Sequence, residues 1–290
     1  MKNRRKFLKN SALLGTGFFI VPRNVLGGPG FISPSDQLNI AAIGAGGKGY
    51  DITNKWASGE RVIALCDVHP DKKDVLNARK KYPNANVYVD FREMLDNEKD
   101  LDAVTVSTPD HTHGIIVSNA MNRGLHAYVQ KPLTHNIEEA RKLTQIAKKN
   151  KVVTQMGNQG GSSTGVVKIQ EWVDKKMIGK IHKIYAWTNR PVWPQGFPME
   201  DRSEEKPANL NWDLWLGPAS YTKYTSQLHP FNWRGWWDYG TGALGDMGCH
   251  ILDAPYKTLG LHYPTDVECS VGSVFQQAWS QNFIPEGCPP

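Results

Sequence analysis

The chain has 290 residues, of which 40% are hydrophobic and 21% charged, and carries a formal net charge of +6. That charge is local: residues 1–35 hold Lys2, Arg4, Arg5, Lys6, Lys9 and Arg23 and no acid, and with those six set aside basic and acidic residues balance at 28 each. A neutral body lacks the clustered Lys and Arg that phosphate contacts need, which argues against nucleic acid as a partner, and four scattered cysteines (Cys66, Cys249, Cys269, Cys288) without a CxxC are too few for a disulfide framework.

At the start, NRRKFLKN runs into the apolar SALLGTGFFIV and then Pro22. A charged region followed by roughly a dozen apolar residues is a signal-peptide pattern, too short for a comfortable membrane span. The Arg4-Arg5 pair with Phe7 and Leu8 resembles a twin-arginine export signal, which implies a periplasmic or otherwise exported protein with no membrane span in its mature form. LGGPGFISPS reads as a linker, so residues 1–35 are taken as leader and linker.

From Leu38 the pattern alternates. LNIAAIG, RVIALCD, NVYVD, LDAVTVSTP, HAYVQKP and VVTQMGNQ read as strands, several of them continuous apolar runs of the kind buried parallel strands show. Between them, Tyr50–Ser58, DKKDVLNARKKY, the helical turn FREMLDN, GIIVSNAMNRG with Gly124 at its end, and NIEEARKLTQIAKKNK read as helices. Strand and helix in alternation predict an α/β fold, a doubly wound parallel sheet over residues 36–157. Residues 158–290 form a second domain: VVKIQEWVDKKMIGK is a helix, IHKIYAWTN (181–189) a long strand, and an aromatic stretch follows. Nine of the ten tryptophans lie after residue 170. Few further strands are recognisable, so the domain is expected to continue beyond Pro290.

GAGGKG fits G-x-G-x-x-G at Gly44, Gly46 and Gly49, between a buried strand and a helix. Gly44 permits the tight turn, Gly46 admits a pyrophosphate, and Gly49 lets the helix pack closely, while the helix N-terminus favours phosphate. Asp67 ends the next strand, where a carboxylate binds both ribose hydroxyls. The joint pattern predicts a bound dinucleotide held by Gly44, Ala45, Gly46, Gly47, Lys48, Gly49 and Asp67. Asp67 would repel a 2′-phosphate and so favours NAD, while Lys72 and Lys73 nearby leave NADP open.

Three later motifs follow in order: STPDHTH (107–113), QKP (130–132) and GDMGCHILD (245–253). With the glycine loop, they resemble the Gfo/Idh/MocA oxidoreductases from about Leu38 onward. The resemblance implies a Rossmann domain followed by an α+β substrate domain with a large, mostly antiparallel open sheet that holds sugar-like ligands. It also implies association through that sheet, and, in the exported subset, tightly held nicotinamide cofactor. Thr108 and Pro109 end a strand at the edge where such sheets bind ligands. The family places a histidine at His113 near the nicotinamide; His111 and His113 also suit plain capping and turn roles. Lys131 can donate to a substrate hydroxyl and ease its deprotonation. Gln130 stands where the family usually has Glu, which changes any acid-based tuning of the lysine or cofactor contact.

In GDMGCHILD the resemblance assigns Asp246 and His250 to the active site. His250 suits a proton acceptor and Asp246, one turn earlier, can orient it or bind substrate. Asp246, His250 and Asp253 would share a helix face, and Gly240, Gly242 and Gly245 would admit a ligand against the backbone. A metal held by Asp246, Cys249 and His250 is the competing reading, disfavoured because Cys249 points away from Asp246. Arg234 and Trp236 are candidate substrate contacts within an aromatic stretch mostly given to packing. Three functions fit: an exported oxidoreductase acting on a sugar, cyclitol or glycoside; a glycoside hydrolase working by transient oxidation and elimination; and a non-catalytic NAD or sugar-binding protein.

Overall fold

The computed structural model describes residues 33–189, 193 and 204–269; the export signal predicted in residues 1–35 falls almost entirely outside them. Six strands and five helices alternate along the first half: β1 (Asn39–Ile43), α1 (Lys48–Trp56), β2 (Arg61–Cys66), α2 (Lys73–Lys81), β3 (Asn86–Tyr88), α3 (Phe91–Asn97), β4 (Ala103–Val106), α4 (Asp110–Asn122), β5 (His126–Gln130), α5 (Ile137–Asn150) and β6 (Thr154–Gly157). The sheet order is β3-β2-β1-β4-β5-β6 and every pair is parallel. This is the doubly wound Rossmann order, with the chain reversing direction between β1 and β4. Ile43 pairs with Cys66 on one side and Val106 on the other, so the loops after β1, β2 and β4 open on one crevice.

The apolar runs bury as parallel strands do, covered on both faces. Ala41, Ile43, Val104, Val106 and Val129 join Met94, Ile116, Val117, Ala120, Met121 and Leu143 from the flanking helices in one core. Helix α5 shows why its sequence reads so clearly. The Asn136 side chain caps it by accepting the Glu139 N–H, Glu138 and Glu139 lie in the first turn, and Lys148 and Lys149 in the last.

The second half differs. It contributes α6 (Thr164–Asp174), α7 (Trp212–Leu216), a 3-10 turn (Asn232–Gly235), α8 (Gly242–Ile251) and α9 (Asp253–Leu259). The strand predicted at 181–189 is not formed among the described residues, and Ile184, Tyr185 and Trp187 are exposed. An unpaired strand leaves its backbone groups unsatisfied, so alternation alone cannot make one. The mostly antiparallel sheet is accordingly absent from the described residues. What holds this half is an aromatic cluster that includes Leu210, Trp212, Trp215, Leu228, Trp233, Trp236 and Tyr239, with Trp212 and Trp215 stacked 4.5 Å apart at 7°.

The cluster sits over the crevice. His111 of α4 reaches into it, its Nε2 3.0 Å from the Trp215 carbonyl and its Nδ1 3.2 Å from that of Tyr239. Farther along, the Asn211 N–H donates to the Val68 carbonyl at 2.8 Å, tying α7 to the loop after β2.

Candidate active site

A cavity of about 930 Å³ lies between the strand-end loops and the aromatic cluster. Its size is at the upper end for small-molecule and cofactor sites. One end is made by the glycine loop with Asp67, His69 and Lys72, the other by Lys131, Asp246 and His250.

At the glycine loop the backbone itself is the binding surface. Gly44 has φ +74°, and a Cβ there would lie 2.7 Å from the Ser107 carbonyl carbon and oxygen. A Cβ on Gly49 would overlap the Gly44 carbonyl oxygen, so the third glycine lets α1 close onto the loop. Gly46, Gly47 and Lys48 line the cavity at the N-terminus of α1, where helix N–H groups and dipole favour phosphate. Asp67 closes this end: its Oδ2 accepts the Gly46 N–H at 3.1 Å and its Oδ1 the His69 N–H at 3.0 Å. Burial pushes its pKa up while these two bonds and Lys72 oppose the rise. Each oxygen keeps acceptor capacity for a hydroxyl.

Among the described residues, three buried polar atoms on the lining of this cavity have no hydrogen-bond partner: Ser107 Oγ, Gln130 Nε2 and His69 Nδ1. Buried polar groups are nearly always satisfied, so these three, with the glycine cradle and Asp67, fit a bound dinucleotide. Thr108 and Pro109 line the same wall.

At the other end Lys131 and Asp246 form an ion pair at 2.5 Å, both side chains only 11% exposed. Lys131 Nζ also donates to the Asp246 carbonyl at 3.1 Å. Arg234 Nε lies 3.5 Å from the same Asp246 Oδ1, and its guanidinium rests over the Trp233 ring at 4.2 Å. Strand β5 thus delivers Lys131, the 3-10 turn Arg234 and helix α8 Asp246 and His250 to one wall. Two cations on one carboxylate, beside an imidazole, can bind and deprotonate a hydroxyl.

Several sequence expectations are displaced. His113 is 0% exposed and does not line the cavity; its ring lies 2.8 Å from the Pro132 carbonyl and 2.9 Å from that of Thr108. Burial lowers its pKa, and a neutral ring has one N–H for one of these carbonyls, so His113 braces the two loops that do line the site. Ala45 is buried against Ala42, Leu65 and Ala78 rather than facing the cavity. Trp236, 6% exposed, packs inside the aromatic cluster because its ring has more apolar surface to cover there. The glycines before Asp246 make room for protein, not ligand: a Cβ on Gly240 would lie 2.7 Å from the Arg234 carbonyl oxygen, and one on Gly245 would strike the Thr241 side chain. Asp253 leaves the face of Asp246 and His250 because α8 stops at Ile251; it begins α9 and pairs with Lys257 at 3.0 Å. Cys249 donates its thiol to the Gly245 carbonyl at 3.2 Å, and no three His, Cys, Asp or Glu side chains among the described residues are grouped to hold a metal.

One residue went unread. Asp110, the first residue of α4, is 4% exposed and lines the cavity, its Oδ2 accepting the Thr241 hydroxyl at 3.0 Å. An acid after Thr-Pro at a helix start looks like an ordinary first-turn carboxylate favoured by the dipole. Only the fold brings Thr241 and the second half over it.

Comparison with known proteins matches both halves. A family model described as an oxidoreductase family, NAD-binding Rossmann fold, covers residues 38–158, and its companion, the C-terminal alpha/beta domain, covers residues 163–280. Levoglucosan dehydrogenase of Pseudarthrobacter phenanthrenivorans is 21% identical over 232 residues, 77% of this chain and 52% of that protein. Alpha-N-acetylgalactosaminidase of Shewanella oneidensis is 28% identical over 171 residues, 51% of this chain and 37% of that protein. The chain spans about half or less of the length of these relatives. GenD2 from gentamicin A biosynthesis, solved in complex with NAD, shares the fold at TM-score 0.55 and 19% identity over 83% of this chain and 57% of that one.

Proposed function

The chain belongs to the Gfo/Idh/MocA oxidoreductase family, and we propose that it moves a hydride between NAD and a hydroxyl- or keto-bearing carbon of a sugar, cyclitol or glycoside. Its first half is an NAD-binding Rossmann domain. Gly44, Gly46, Gly47, Lys48, Asp67, Ser107, Thr108 and Gln130 would hold the cofactor, all of them on the cavity wall. The nicotinamide, when bound, accepts or returns the hydride.

The buried Lys131–Asp246 pair carries this reading. Asp246 fixes the ammonium on the cavity wall, and Lys131 donates to the substrate oxygen and stabilises charge that develops on it. His250 on the same wall draws the hydroxyl proton away. Arg234 supplies a second donor to a neighbouring hydroxyl. Trp193, Trp215 and Phe231 line the cavity with flat apolar surface suited to a sugar face. Denaturing the purified protein and identifying released nucleotide by mass spectrometry, then assaying a panel of sugars and cyclitols for reduced nicotinamide, tests the proposal. Absence of any bound or bindable NAD would end it.

Glycosidase relatives, Alpha-N-acetylgalactosaminidase among them, suggest a second reading, glycoside hydrolysis with no net redox change, for which NAD held by the same residues would supply transient oxidation and re-reduction. Aryl glycosides separate the two, since aglycone release without accumulated reduced cofactor belongs to the second. We also read residues 1–35 as an export leader, which puts the working enzyme in the periplasm, where tightly held cofactor is an advantage. Cell fractionation of the full chain checks this. Association through the second domain's sheet belongs to the same proposal and is checked by the solution mass of the protein.

A further inference from the structure

One stretch of the second half leaves the substrate wall and crosses to the cofactor's end of the cavity. It runs from the loop after β2 to the first turn of α4. At the near end the Asn209 side chain bonds the Asp71 carboxylate, and the Asn211 N–H donates to the Val68 carbonyl at 2.8 Å, one residue beyond Asp67. At the far end the Trp215 carbonyl lies 3.0 Å from His111 Nε2. Gly217 there comes so near to α4 that a Cβ on it would lie 3.1 Å from Thr112 Cγ2. Between these anchors Asp213 and Leu214 are on the cavity wall, and Gly217 and Pro218 continue it. Trp212, Trp215 and Leu216 are buried in the aromatic cluster, which roots this bridge in the second half.

The bridge faces apolar surface of the Rossmann half that is left open. Ile115, three residues after Thr112 on the same face of α4, lines the cavity and is 45% exposed. Val68, after β2, and Phe91, at the start of α3, line it as well and are half-buried. With the pyrophosphate at the glycine loop and the ribose on Asp67, the base carried by that ribose falls beside Val68. A purine has two flat apolar faces and suits a slot with aliphatic and aromatic sides. Val68, Phe91 and Ile115 supply one side of such a slot, and Leu214 and Pro218 of the bridge supply the other.

We propose that residues 211–218 form the outer wall of the adenine site, so that the second half binds the cofactor together with the Rossmann half. This rests on the NAD part of the reading above and is independent of which substrate is oxidised. Adenosine leaves when the bridge parts from Val68 and Thr112. Asn209, Asn211 and Gly217 are exposed at those anchors, so the bridge can lift without unfolding the sheet, and its contacts set how long the cofactor stays.

The test separates the two halves of the dinucleotide. The full chain loaded with NAD is mixed with an excess of isotopically labelled NAD, and exchange is followed by mass spectrometry. AMP and nicotinamide mononucleotide, each carrying one half of the cofactor, are titrated by calorimetry into the nucleotide-free protein. Leu214→Ala, at a half-buried position, should release NAD about 10-fold faster and lose a similar factor in AMP affinity, with the affinity for nicotinamide mononucleotide unchanged. Gly217→Val places a branched side chain at φ +52° and against Thr112, which pushes the bridge off α4 and should speed release at least as much. Should either variant fail to fold, the other decides. Unchanged NAD release and AMP affinity in the folded variants overturns the bridge's part in the site while NAD binding stands, and an equal loss of nicotinamide mononucleotide affinity does the same. A wild type that binds neither NAD nor AMP overturns the NAD reading and the bridge's role with it.

Discussion

The two walls of the cavity are built by different means. On the Rossmann side, six parallel strands end at one edge, and the groups presented to a ligand are largely backbone: the glycine loop, the N-terminus of α1 and the loop after β4. On the other side the second half contributes no strand among the described residues, and apart from Lys131 at the end of β5 the wall is positioned by side chains. Arg234 lies on Trp233, Asp246 clasps Lys131, and the aromatic cluster of Leu228, Trp233, Trp236 and Tyr239 packs around α7. Backbone recognition suits a ligand whose phosphates are always the same. Side-chain recognition can be changed one residue at a time, which suits a substrate that differs between relatives. His111 joins the two, rooted in α4 and packed between the rings of Trp215 and Tyr239 at 5.4 and 5.3 Å.

The largest effect that would break this division is at Lys131. Lys131→Ala should lower kcat/KM by about 10²- to 10⁴-fold while NAD affinity, measured by calorimetry, stays nearly unchanged; an equal loss of both would erase the separation of walls. Trp215→Ala should cost about 3–5 kcal/mol of stability, read from urea midpoints, because it removes half of the Trp212 stack and one side of the His111 packing. A change within the noise would show that the aromatic cluster is not what holds the second wall.

The junction has its own signature. Burial depresses the His111 pKa to about 4, so the folded state keeps the ring neutral where the unfolded chain, near 6.5, has taken a proton. Its contribution is full above pH 6.5 and is lost as pH falls toward 4, by up to about 3 kcal/mol. Thermal melts of wild type and His111→Gln should therefore converge on acidification, and parallel curves would contradict this. Smallest is Asp67→Ala, which should weaken NAD binding by roughly 10- to 100-fold, the worth of a charge-assisted bond, without changing kcat at saturating cofactor.

The same contrast explains what could be read from the sequence. β1 to β6 and their helices announce themselves because a buried parallel strand needs an unbroken apolar run and a crossover helix needs its period, both local properties. The glycine loop and Asp67 were legible for the same reason, as fixed spacing around a strand end. The strand expected at 181–189 was not formed, since alternation describes a strand but cannot supply its partner. Lys131, Asp246 and His250 were singled out through motifs, and all three line the cavity. His113 and Trp236 carry chemistry-bearing side chains, yet sequence does not say which way they face, and both turn into packing. Asp110 was missed because its meaning comes from Thr241, 131 positions away in the chain.

The proposed reaction depends on Lys131, whose ammonium would meet the substrate oxygen on the cavity wall. Its most direct test is a single turnover of the NAD-loaded protein mixed with an excess of reactive sugar or cyclitol, reading reduced nicotinamide in wild type and Lys131→Ala. The expected result is one equivalent formed rapidly by the wild type and almost none, on the same time scale, by the variant with equal NAD content. Equal rates in the two proteins would contradict it.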